Sequence, residues 1–187
     1  MAPAPLLMTV DEYFTKTPET VKPMELIFGA LRVAESPSPR HQSAVLQLLL
    51  ALDRHVRAHQ LGDMWVSPLD VVLHEQRALI VQPDLFFVSN ERSYIVTDRV
   101  RGAPDLVIEV LSPRPRIGET NERVQWFAEF GVRECWLIHQ DRVSVEVIDF
   151  ENRRIAARTT FHRRDPLASS VLPEFRLSLD DVLIGER

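Results

Sequence analysis

Two segments of this chain place a carboxylate among residues that would otherwise be core. The first is Val81-Gln82-Pro83-Asp84-Leu85-Phe86-Phe87-Val88 and the second Pro104-Asp105-Leu106-Val107-Ile108-Glu109-Val110-Leu111. A buried, unpaired carboxylate costs several kcal/mol or takes up a proton, so it persists when a cation or a metal ion shares the site. Along a strand, Asp105 and Glu109 face the same way but lie about 13 Å apart, too far to hold one ion. Asp84, from a neighbouring strand, is the better companion for Glu109. Two converging carboxylates, completed by backbone carbonyl and water, describe a site for Mg2+ or Mn2+. A turn-capping role for Asp84 and a strand-entrance cap for Asp105 are the plainer alternatives. Glu25 is a candidate third acidic ligand, or a surface ion-pair partner. His41 is either a water-activating base or a polar residue of a helix's first turn. The remaining histidines show no zinc-type spacing.

The elements that must carry these groups are legible from periodicity. Met24 to Ala34 is rich in β-formers around Gly29, which predicts two short strands and a turn. Apolar residues at Val45, Leu48, Leu49, Leu52 and Val56 predict a helix from His41 to His59. The runs Met64 to Val66, Asp70 to Leu73 and Leu79 to Val88 predict neighbouring antiparallel strands. Asp105 to Leu111 is almost continuously branched and apolar, as in a central strand buried on both faces. Pro113 and Pro115 end it, and Val124, Phe127 and Ala128 mark a helix from Thr120 to Phe130 that Gly131 stops. Strands follow at Glu134–His139 and Arg142–Ile148, and the tail after 160 reads as a polar connection. Residues 1–23, with four prolines, form a lead-in. The expectation is an α/β fold, one mixed sheet flanked by helices, in a single domain spanning 1–187.

The pattern Pro83-Asp84-Leu85, then Gly102-Ala103-Pro104-Asp105-Leu106-Val107-Ile108-Glu109-Val110-Leu111-Ser112-Pro113, then Gly131-Val132, Glu134 and Trp136-Leu137-Ile138 resembles the Uma-type family. That family is grouped with bacterial restriction endonucleases in the PD-(D/E)XK superfamily. The resemblance extends through Glu25-Leu26-Ile27 with Gly29, His41, and Leu172-Pro173. It implies a restriction-endonuclease-like fold, with Asp84 as the motif aspartate and Glu109 at the (D/E) position of a Mg2+ or Mn2+ site. The usual lysine position, two residues on, holds Leu111. In this family the lysine moves to the following helix, which maps it onto Arg123. An arginine there can grip a phosphate but cannot act as a general base. Phe28, Glu119, Phe127 and Cys135 are further departures from the family pattern.

The implied activity is hydrolysis of DNA phosphodiester bonds, with Asp84, Glu109 and Arg123 as the catalytic set and water as the nucleophile. The rival readings are a weakened descendant that binds nucleic acid or a protein partner without cutting, and an enzyme acting on another phosphodiester such as RNA. Composition constrains these expectations. The net charge of -5 supplies no global attraction for nucleic acid, so any DNA contact is local. Arg99, Arg101, Arg114 and Arg116 flank the central strand and could form a basic rim. Lysine occurs only at Lys16 and Lys22. The lone Cys135, in an apolar run, reads as core packing. No window approaches the roughly 20 apolar residues that span a bilayer, and no signal-like start is present. The expected setting is therefore cytoplasmic and membrane-free, and association into homo-oligomers is left open.

Overall fold

A computed structural model describes residues 7–18, 22–112 and 117–184. In chain order the elements are α1 (Val10–Lys16), β1 (Met24–Ile27), β2 (Ala30–Val33), α2 (Pro39–Ala58), β3 (Gly62–Val66), β4 (Val71–His74), β5 (Leu79–Val81) and β6 (Leu85–Ser89). A 3-10 helix (Asn90–Ile95) leads to β7 (Val100–Arg101), β8 (Leu106–Leu111), α3 (Ile117–Phe130), β9 (Glu134–His139), β10 (Ser144–Glu151), β11 (Arg154–His162) and a π-helical turn (Asp180–Ile184).

The expected single mixed sheet is in fact two. One runs in the order β2-β1-β5-β4-β7 and the other β11-β10-β9-β8-β6-β3. Each is mixed: β4 pairs with β7, and β8 with β9, in parallel, while the other pairings are antiparallel. The division falls inside Leu79–Val88, a run of uniform apolar character. Pro83 has no N–H to continue a ladder. At Gln82-Pro83-Asp84 the chain leaves the first sheet and enters the second. β11 has no counterpart in the sequence reading. It is an edge strand, exposed along most of its length, so burial never imprinted an alternating pattern on it.

β8 is central, as its composition predicts, with neighbours β6 and β9. Leu106, Ile108 and Val110 pack in the cluster that includes Leu48, Leu52 and Val56 of α2. Val107 belongs to the opposite cluster with Val124, Phe127 and Ala128 of α3, and Cys135 is buried there too. Helix α2 begins at Pro39, where proline costs no hydrogen bond, and Ser38 Oγ accepts the His41 N–H at 3.2 Å. That cap fixes the first turn of α2 beside β8. The β1–β2 hairpin turns through Phe28 and Gly29, both left-handed, at φ +49° and +85°. Phe28 meets Trp126 of α3 edge to face at 5.4 Å, which sets β1 against that helix.

Candidate metal centre

The antiparallel register of β6 on β8 pairs Phe86 with Val107 and Leu85 with Ile108. Continued one residue past its last pair, that register leads Asp84, just before β6, toward Glu109. Directly opposed residues have Cα atoms about 4.5–5.5 Å apart, with side chains on one face. The ladder itself breaks there because Asp84 uses its side chain: Oδ2 accepts the Val110 N–H at 2.7 Å. The Asp84 carbonyl accepts the Ser67 N–H at 3.1 Å, tying the sheet crossing to the end of β3.

Four more groups complete the centre. Arg123, on α3, donates from Nε to Glu109 Oε1 at 2.7 Å. Its two terminal nitrogens grip Glu25 of β1 at 2.9 and 2.8 Å, and the guanidinium lies over the Phe127 ring. Glu25 Oε1 also accepts the main-chain N–H of Gln82 at 2.7 Å, so the third carboxylate is tethered beside the Pro83-Asp84 corner. His41 Nε2 lies 3.2 Å from Asp84 Oδ2. The side chains of Glu25, His41, Asp84, Glu109 and Arg123 are only 15–21% exposed.

The electrostatics follow from this count. Three carboxylates face one guanidinium. Burial pushes the Glu109 carboxyl up, to about 7; Arg123 opposes the change, and the charges of Asp84 and Glu25 add to it. The hydrogen bond to Asp84 raises the His41 imidazole above its ordinary value, against the effect of burial. Arg123 is destabilised as a cation by burial, but Glu109 and Glu25 more than offset this and raise it. The centre therefore carries an excess of negative charge in a partly dehydrated place. Asp84 Oδ1 and Glu109 Oε2 have no hydrogen-bond donor among the described residues. No three His, Cys, Asp or Glu side chains among those residues form a ready cage. A Mg2+-type site needs none, since that ion is held by one or two carboxylates and keeps several waters. The donor set therefore fits Mg2+ or Mn2+. A cleft of about 640 Å3 opens on the Glu25, Glu109 and Arg123 side of the centre, walled by α3 and the β1–β2 hairpin, with Arg32 and Glu119 on its lining.

A family model described as Uma2, putative restriction endonuclease, matches residues 10–180. The chain belongs to the Uma2 family. Its fold is also that of a crystal structure titled a putative nuclease belonging to DUF820, from Anabaena variabilis ATCC 29413. The TM-score is 0.77 at 22% identity, over 95% of this chain and 98% of that one. No curated protein matches. The mixed α/β architecture is thus the fold expected from the resemblance.

Within this Uma2-family chain, Asp105 stands apart from the other candidates, at the opposite end of β8. It is fully buried and takes the Ser89 N–H at 2.8 Å, Arg133 at 3.1 Å and Arg92 at 3.4 Å. That is the strand-entrance cap. Of the proposed basic rim, Arg99 stacks on Phe14 and Arg101 pairs with Glu75 at 3.1 Å, so both serve the edge of the first sheet. Arg114 and Arg116 lie outside the described residues. Two participants escaped the sequence reading. Gln82 acts through a main-chain N–H, which no residue type announces. Arg32 reaches the cleft because it pairs with Glu25 across the hairpin, a register the sequence does not print.

Proposed function

We propose that this chain is a divalent-metal-dependent endonuclease that hydrolyses phosphodiester bonds in DNA. The observation that carries the reading is Asp84, just before β6, bound to the Val110 N–H of β8 next to Glu109 and close enough for its charge to act on Glu109, in a family of nuclease type. Asp84 and Glu109 would hold Mg2+ or Mn2+ through Oδ1 and Oε2, the oxygens that take no hydrogen bond among the described residues. A bound ion there supplies Lewis-acid stabilisation of phosphoryl charge and lowers the pKa of water. Arg123 has five N–H groups and spends three on Glu109 and Glu25, which leaves two for a phosphate oxygen. His41 can hold a proton beside Asp84, and Glu25 positions Arg123.

One observation favours a second reading, a nuclease fold that binds nucleic acid without cutting. Arg123 already pairs with both Glu109 and Glu25, and so supplies part of the positive charge a metal would bring. Incubation of the purified protein with supercoiled plasmid, in Mn2+, Mg2+ or EDTA, separates the two. Open-circular and linear products that require the ion are expected. Retention on DNA with no nicking under any condition favours the second reading. Neither binding nor nicking contradicts both.

A further inference from the structure

A second cleft, of about 390 Å3, adjoins the first on the α3 side of the larger sheet. Its floor is set by two rows of cross-strand partners. One row runs Glu109, Leu137, Glu146, Thr160 and the next Leu111, His139, Ser144, His162, over β8, β9, β10 and β11. The first row thus begins at a residue of the metal centre, and the second lies two residues along each strand, about 7 Å away. Leu111, Thr120 and Leu137 line both clefts, so the two are continuous.

We infer that this second cleft is a subsite for a nucleotide flanking the scissile bond, with its phosphodiester anion held by Arg142, His139 and His162. The inference rests on the proposed nuclease reading and names where that substrate's strand runs. Arg142, exposed in the β9–β10 turn, has no carboxylate within ion-pair distance among the described residues. It lines the cleft together with His139, whose imidazole is lowered by burial and then by the charge of Arg142, against the opposing charges of Glu146 and Asp141, so an anion in the cleft would favour both basic groups. Among the described residues the one lining carboxylate, Glu146, is occupied by Arg158 at 2.8 Å and does not repel a phosphate with a full charge. Leu111, Leu137 and the two imidazole rings give a base or sugar an apolar and aromatic floor. Asn121 of α3, with Ser144 and Thr160, supplies hydrogen-bonding groups. A chain of net charge -5 needs such a local arrangement to hold a polyanion at all.

The test is binding of a fluorescently labelled DNA oligonucleotide, duplex and single-stranded, to the full chain in EDTA, followed by anisotropy across a salt series. Arg142→Gln and the double variant His139→Gln/His162→Gln should each weaken binding by about ten-fold. Arg142→Gln should also lower the salt slope by about one. Arg57→Gln, on the exposed face of α2, should leave both unchanged, and all variants should unfold at the wild-type temperature. If the cleft variants bind like a wild type that still nicks plasmid, the subsite is wrong and the nuclease reading stands. Equal weakening by Arg57→Gln also overturns the subsite, because the effect is then only net charge. A wild type that binds neither form of DNA defeats both.

Discussion

Replacing Glu109 by Gln removes one charge from a centre where three carboxylates share one arginine. At an effective dielectric of about 20, the Glu109–Arg123 attraction is worth about 4 kcal/mol at ~4 Å, and the repulsion from Asp84 about 3 kcal/mol at ~5 Å. Glu25, held by the far side of the same guanidinium, adds a repulsion of about 2 kcal/mol at ~8 Å. The terms nearly cancel, and the amide oxygen still accepts from Arg123 Nε. Metal-free Glu109→Gln should therefore unfold within about 1 kcal/mol of wild type. Arg123→Met, which strands the part-buried carboxylates of Glu109 and Glu25, should lose about 3–5 kcal/mol. The pH dependence has a definite sign. The Glu109 carboxyl is raised to about 7 in the folded chain from 4.5. Folded protein thus binds the proton more tightly than unfolded protein, and wild type loses stability as pH rises from 4.5 through 7. The variant lacks that loss, so its stability relative to wild type should improve from pH 5.5 to pH 8. Thermal unfolding at both pH values, with and without Mn2+, reads all of this. The ion should stabilise wild type and leave Glu109→Gln almost unmoved. A metal-free Glu109→Gln that loses 3 kcal/mol or more at pH 8, beside a wild type that Mn2+ does not stabilise, would refute the reasoning; Glu109 would then be a structural partner of Arg123 alone.

The same carboxyl ties Mn2+ affinity to pH. Binding should release a proton, tightening by up to ten-fold per unit below pH 7 and levelling above it; a calorimetric affinity that is flat from pH 5.5 to 7 contradicts the assignment. Glu134, fully buried, accepts from Trp136 Nε1, Ser169 Oγ, and the N–H and Oγ of Ser170, all at 2.6 Å. Glu134→Leu should cost about 3–5 kcal/mol in urea unfolding through its orphaned donors, while Mn2+ affinity of the folded fraction stays put; a neutral result would show that the Ser169-Ser170 segment is not clamped there. Gly62 sits at φ +152°, where an added Cβ would overlap the Val88 carbonyl oxygen. Gly62→Ala should thus lose at least about 2 kcal/mol, and an unchanged midpoint would mean that β3 can shift on β6.

The parts of this architecture that burial dictates were readable in the chain. The α2 face from Val45 to Val56, the doubly buried β8 and the α3 face at Val124, Phe127 and Ala128 all obey it. The division into two sheets was not readable, because Leu79–Val88 is apolar on both sides of the crossing and only Pro83 marks it. β11 escaped because an exposed edge strand carries no inward face. For the centre, Asp84 and Glu109 stood out by the cost of burying a carboxylate. Glu25 was a candidate from its residue type and Arg123 from the resemblance, but their contact with each other, and Gln82 holding Glu25, were not legible, because they arise from a hairpin and a helix meeting in space. Sequence spacing across about 100 residues contains no trace of that contact.

The central claim is that Asp84 and Glu109 share one divalent ion. Anomalous diffraction from a crystal of the full chain grown with Mn2+ tests it most directly. The account predicts one strong manganese peak between the two carboxylates, each oxygen at about 2.1–2.2 Å, and its loss in Asp84→Asn. A crystal in which Arg123 alone fills that space, with manganese absent or bound elsewhere, would contradict it.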